Sequence, residues 1–213
     1  MKKVLMSIVA VLFAANSFAQ TNSGGFSLSE STVYYGARIG MNISTITGDI
    51  PSDYKGAKAG LTLGGVLGLR ISDATPLFLE SGLYFTQYGA SGKGKNNINI
   101  NYLEIPVLIK YGFQATDEIS VIPYIGPTVA LGITAKTKFL NPTPADPDNY
   151  TTTSGFGDND LNRPNVGIKL GCGAEWNKQY LEAGYHFGIT NILDSDDDAW
   201  HNGNVFINFG VNF

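Results

Sequence analysis

The sequence predicts an all-β fold, eight antiparallel strands closed into a transmembrane β-barrel of the outer-membrane type, with short turns at one end and longer loops at the other. Three observations carry that expectation. Residues Tyr102 to Phe113, YLEIPVLIKYGF, alternate strictly between two faces, which is the period of a strand and not of a helix. One face is Leu103, Ile105, Val107, Ile109, Tyr111 and Phe113; the other is Tyr102, Glu104, Pro106, Leu108, Lys110 and Gly112. A strand of this length is about twice the ordinary globular one and reaches across a bilayer at a tilt. The second observation is that connections between candidate strands alternate between short and long, and the third is an N-terminal export signal.

The signal comes first in the chain. Met1-Lys2-Lys3 precedes the apolar run Val4 to Ala15, and Asn16-Ser17-Phe18-Ala19 precedes Gln20. A charged start, a short apolar core and small residues at the last and third-last positions make a secretory signal peptide cleaved after Ala19. The run is shorter than the roughly 20 residues of a spanning helix. The expected organisation is a signal peptide at 1–19, a periplasmic segment at 20–31 and a barrel domain at 32–213. No cysteine follows the cleavage point to carry a lipoprotein anchor, and Cys172, the only cysteine, has no disulfide partner. A net charge of -4 without a basic cluster argues against nucleic acid.

Candidate strands then follow at 32–43, 59–71, 77–89, 98–113, 119–135, 165–177, 180–190 and 203–213. Ser72 to Pro76, Gln114 to Glu118 and Asn177 to Gln179 are short turns, whereas Ser44 to Lys58, Ala90 to Asn97, Lys136 to Pro164 and Asn191 to Asn202 are longer. An even strand count with loops segregated by length is the build of outer-membrane barrels, whose short turns are periplasmic. The faces repeat the opening pattern. The first strand sets Val33, Tyr35, Ile39, Met41 and Ile43 against Tyr34, Gly36, Arg38, Gly40 and Asn42; the sixth sets Val166, Ile168, Leu170, Cys172 and Trp176 against Gly167, Lys169, Gly171, Gly173 and Glu175. By this parity Cys172 faces lipid.

Alternation alone leaves a soluble barrel with an apolar interior as the rival. Glycine decides between them. A glycine inside a strand weakens it, yet here the glycines share the polar face with the charges. In a narrow barrel, small residues beside long Arg, Lys and Glu side chains let a polar lumen fill without overpacking. The polar face is therefore expected inside.

The residues quoted from Tyr102 resemble the signature strand of the outer membrane β-barrel family common in Bacteroidetes, the PorT-like proteins, with Leu103-Glu104-Ile105-Pro106 before Lys110-Tyr111. PYIGPTVALGI from Pro123, NVGIKLGCGAEW from Asn165 and YLEAGYHFGITNIL from Tyr180 are similar to later strands of that family, except that Gly184 stands where a basic residue is expected. The resemblance implies fold and outer-membrane location; for activity it implies only that some members serve protein secretion.

The candidate site is the inward charge set. Arg38, Arg70, Lys110 and Lys169 stand against Glu80, Glu104, Glu175 and Glu182, with His186 among them. Arg70, Glu80, Lys110, Glu175 and Glu182 are expected in the short-turn half, and Arg38, Glu104, Lys169 and His186 nearer mid-height. Four charges of each sign suit a self-neutralising plug, because an unpaired buried charge is very costly. Glu104 is expected to pair with Arg38 or Lys169. Tyr34, Tyr84, Tyr88, Tyr102 and Tyr124 fill the remaining space.

Catalysis has little to rest on. Of two histidines, His186 lies on the lumen face beside Glu182 and His201 at the outer rim; no Gly-x-Ser-x-Gly, metal-spaced His pair or phosphate loop appears. The reading is not an enzyme and no cofactor. Asp194, Asp196, Asp197 and Asp198 offer hard oxygens for a divalent cation but lack the glycine and distal glutamate of a calcium loop. Trp200 reads as an interfacial aromatic. Expected partners are outer-membrane lipid and lipopolysaccharide, the barrel-assembly machinery during insertion, and an envelope protein of unknown identity. The expected role is structural or interactive, with a narrow channel and a secretion-assembly component as alternatives.

Overall fold

Lipid and lumen divide the side chains of every long strand in the computed structural model, which describes residues 32–49, 55–92, 96–141, 146, 149–156, 161–194 and 198–213. The strands are β1 (Val33–Gly48), β2 (Lys58–Arg70), β3 (Leu77–Ser91), β4 (Asn97–Tyr111), β5 (Phe113–Gln114), β6 (Ile119–Leu140), β7 (Tyr150–Ser154), β8 (Pro164–Trp176), β9 (Gln179–Gly188) and β10 (Trp200–Asn212). Eight of them close a ring in the order β1, β2, β3, β4, β6, β8, β9, β10, all antiparallel. β10 returns to β1 from Gly36↔Asn212 to Gly48↔Trp200, so the ring has no free edge. β5 extends the line of β4 along β6, and β7 pairs with the outer end of β6.

Outward, the apolar rows are exposed: Leu103, Ile105, Val107 and Ile109 on β4, Leu61, Leu63, Leu67 and Leu69 on β2. Nothing in a soluble fold would leave such rows uncovered; in a bilayer they are the lipid belt. Tyr35 stacks on Phe213 at 5.6 Å and Tyr111 meets Phe113 at 4.5 Å at the short-turn end, and Tyr185 meets Phe187 at 4.2 Å near the other. Cys172 is exposed on this outer surface.

Inward, glycine and tyrosine interlock. Tyr34 and Gly68 are cross-strand partners, as are Gly64 and Tyr84. A Cβ on Gly64 would come within 2.5 Å of the Tyr84 ring, and Cβ atoms on Gly68 and Gly173 would overlap the rings of Tyr34 and Tyr180. Each ring thus lies flat over a neighbouring strand in space that only glycine leaves. At Gly184 the ring of Phe206 stands 2.6 Å from where a Cβ would be, so an aromatic from the next strand fills the space beside this glycine. The β8–β9 turn is the tight one foreseen, with φ of 45° at Asn177 and 70° at Lys178, the paired positive values of a type I′ hairpin turn.

The structure corrects three expectations at the long-loop end. β1 runs on to Gly48, β6 to Leu140, and β10 starts at Trp200, because the strands continue beyond the bilayer with their faces reversed in polarity. On β4, Asn97, Asn99 and Asn101 face outward while Ile98 and Ile100 are fully buried. β7 lies inside what was read as one loop, since TAKTKFL and YTTTS carry no lipid-facing row yet pair from Lys136↔Ser154 to Leu140↔Tyr150. Trp200 does not face the interface: it packs on the apolar cluster that fills the mouth.

A bulge marks the same boundary. Asn101 pairs with Thr134 but Tyr102 with Gly132, leaving Ile133 unmatched. Ile133 and Thr134 are both exposed in succession, after which Ala135 is inward and Lys136 outward. The extra residue resets the alternation of β6.

Candidate functional site

The lumen is packed in layers. Nearest the short turns, Tyr34, Val66, Phe78, Tyr84, Ile122 and Tyr180 form a buried cluster. Against it lies the first charged group. Glu80 accepts the Tyr34 hydroxyl proton at 2.6 Å, pairs with Lys110 at 2.8 Å and lies 3.8 Å from Arg38. Lys110 also donates to the Tyr180 hydroxyl at 3.1 Å, and the Arg38 guanidinium sits 4.3 Å over the Tyr180 ring. Arg38 donates to Asn212 Oδ1 at 2.6 Å and to the Val211 carbonyl at 3.2 Å. Glu175 accepts from Asn212 Nδ2, and Glu182 from Asn208 Nδ2 at 2.8 Å. One carboxylate therefore pairs with two cations here, and the Asn212 amide bridges Arg38 to Glu175.

Higher in the barrel is the second group. Lys169 pairs with Glu104, which also accepts the Tyr88 hydroxyl proton at 2.7 Å. The Lys169 ammonium lies 5.1 Å from the ring centres of both Tyr84 and Phe206. Tyr88 stacks on His186 at 5.6 Å, and His186 Nε2 is 2.8 Å from the Thr128 hydroxyl. Arg38, Glu80, Glu104, Lys110 and His186 are each no more than 1% exposed. A charge held at such depth needs its partner.

Most of the charge set is thus brought together, with three corrections, to Arg38, His186 and Arg70. Arg38 belongs to the short-turn group and not to mid-height, because its strand pairs with Gly210 near the end of β10. Of the two partners expected for it Glu104 takes Lys169, and Arg38 goes to Glu80. His186 is held by Thr128 and Tyr88 and not by Glu182. Arg70 is only half-buried, and its Nε donates to the Ser72 carbonyl at 2.9 Å in the β2–β3 turn, so it belongs to the rim. Asp194 and Asp198 are exposed; Asp196 and Asp197 lie outside the described residues, as does the proposed signal peptide. The five foreseen tyrosines are all buried, and Tyr180, not foreseen among them, joins them. Its even parity with Glu182 on β9 was the signal that would have found it.

At the long-loop end the lumen changes character. Ile46, Ala90, Ile98, Ile100, Leu161 and Ile192 form an apolar cluster, with Phe156, Leu193 and Trp200 packed on it. Leu161 and Leu193 form an isolated bridge that ties two connecting segments across the mouth. An apolar cap thus stands above the ion-paired layers. It was not foreseen, since Ile46, Ala90, Leu161 and Ile192 come from segments read as loops, and Ile98 and Ile100 from a strand end where the faces reverse polarity.

This barrel has known relatives in shape. Neisserial surface protein A matches with a TM-score of 0.51 at 17% identity, covering 86% of this chain and 98% of that one. OprG from Pseudomonas aeruginosa matches with 0.45 at 14%, covering 88% and 99%, and Ail of Yersinia pestis, solved with the heparin analogue sucrose octasulfate, with 0.44 at 14%, covering 86% and 100%. No curated protein matches in sequence. The sequence does match the family described as outer membrane protein beta-barrel domain over residues 18–194. With its closed ring of eight strands and its exposed apolar belt, this chain belongs to that outer membrane protein beta-barrel family and is a protein of the outer membrane.

Proposed function

We propose that this protein is a closed, non-catalytic barrel whose role is structural or interactive, exercised from its outer end. The observation that supports this most directly is the pair of obstructions in series, ion-paired layers in the lumen and an apolar cap above them. An eight-stranded barrel is only wide enough for side chains to fill, and here they do. His186 and Thr128 are each 1% exposed, so substrate has no route to the one histidine in the lumen. Planar-bilayer recordings of the refolded protein should show no steady conductance; well-resolved openings would reject the closed barrel in favour of a narrow solute channel.

The secretion-assembly reading keeps one support, the resemblance of YLEIPVLIKYGF to PorT-like proteins. Under it the outer and inner rims would be docking surfaces for envelope proteins. Lipopolysaccharide around the belt and the assembly machinery during insertion are the partners that the location itself proposes. Export by a signal peptide cleaved after Ala19, and the periplasmic side of the short turns, are tested together. Intact cells treated with protease should yield an outer-membrane chain that begins at Gln20 and is cut between Lys136 and Pro164. Cutting at Asn177 to Gln179 instead would invert the topology.

A further inference from the structure

A groove of about 370 Å³ opens on the outer surface where the β6–β7 hairpin rises above β8. Its lining is unlike the rest of this acidic chain. Lys136 and Arg163 supply two exposed cations, Thr134, Thr152, Thr153 and Ser154 supply hydroxyls, and no carboxylate among the described residues lines it. Among the described residues neither cation has an acidic partner. Arg163 is held in place, its guanidinium 4.6 Å over the Phe156 ring and its Nη1 3.3 Å from the Gly132 carbonyl. Among the described residues Lys136 makes no such contact.

The position of the groove says what chemistry it meets. Its floor is Ile133, the bulged residue, and directly below along β6 the lipid-facing row continues through Leu131 and Val129, both more than half exposed. Above it the outward face is Asn, Thr and Lys. The cations therefore stand at the level where acyl chains give way to headgroups, beside and not inside the lumen. Fork-shaped guanidinium, ammonium and neighbouring hydroxyls suit a phosphate ester, and the apolar row beneath suits the chains attached to it.

We propose that this groove binds the phosphorylated headgroup of an outer-leaflet lipid, with Arg163 and Lys136 on the phosphate and its acyl chains along Ile133 and Leu131. The site rests on the outer-membrane location and not on closure of the lumen, so it stands even if the barrel conducts. Free phosphate has the same chemistry at the cations but none of the contact below.

The test uses the refolded mature chain in phosphatidylcholine nanodiscs containing lipid A in its bisphosphorylated or its dephosphorylated form, read by native mass spectrometry. The bisphosphorylated lipid should be retained and the dephosphorylated one lost. Lys136→Gln, which removes no contact among the described residues, should weaken retention by about tenfold, the worth of one charge-assisted hydrogen bond, and Lys136→Gln with Arg163→Gln should abolish it. Lys178→Gln, the same charge change at the opposite end, should have no effect. Equal retention of both lipids, undiminished retention by Lys136→Gln, equal loss with Lys178→Gln, or complete displacement by millimolar inorganic phosphate would each overturn the assignment.

Discussion

Replacing Glu104 with alanine should lower the unfolding free energy of the refolded barrel by about 3–5 kcal/mol, the cost of leaving a buried charge without its partner. Lys169 has Glu104 as its ion-pair partner and is otherwise surrounded by the rings of Tyr84 and Phe206. Ring faces attract an ammonium by only about 0.5–2 kcal/mol, so they do not replace the carboxylate. Tyr88 loses its acceptor in the same substitution. Lys110→Met should cost less, although Lys110 is as deeply buried, because Glu80 keeps the Tyr34 hydroxyl and Arg38. Exchanging the charges of Glu104 and Lys169 should recover part of the loss. Urea unfolding in detergent micelles measures all of these, and an unchanged midpoint for Glu104→Ala would mean that water reaches Lys169.

Ile100→Ala should destabilise the barrel by about 2–5 kcal/mol, the range for emptying a large aliphatic site in a packed core. Ile100 is fully buried among Ile46, Ile98 and Ile192 in the cap, where its neighbours belong to paired strands and cannot collapse inward freely. Despite that loss the variant should remain silent in planar bilayers, because the Glu104–Lys169 layer and the Glu80 group below it are untouched. Conductance appearing in Ile100→Ala would show that the cap alone seals the lumen. A stability unchanged within measurement would show that the mouth is loosely packed.

Face assignment was legible because lipid demands it. Arg38, Glu80, Glu104, Lys110, Lys169, Glu175 and Glu182 lie on the inner faces that alternation implies. Height and partner were less legible, since they depend on strand length and stagger: Arg38 is central in a strand ending at 43, but early in a β1 that runs on to Gly48, where it meets Asn212 and Glu80. Above the bilayer the criterion itself fails, because strands there have water outside and an apolar core within, as Asn99 and Ile100 show. Simple parity would have pointed Lys136 into the lumen. The unmatched Ile133 turns it outward, and a single inserted residue of that kind leaves no mark in composition.

The reversal of polarity above Tyr102 also sets how deep the molecule floats. Sinking by two residues, on the order of 7 Å along a strand, would draw Asn101 and Thr134 into hydrocarbon and bring Lys136 to its edge. A lysine on the lipid side costs about 2–4 kcal/mol at the midplane and little near the interface, so resistance grows steadily with descent. Rising by the same amount would lift Leu103 and Leu131 into water and pull the Tyr35–Phe213 pair off the inner interface. The barrel therefore has a restoring force in both directions. Where the surrounding bilayer is thicker or thinner than the span between these limits, the lipid must deform to meet the protein, and such barrels would drift toward regions of matching thickness.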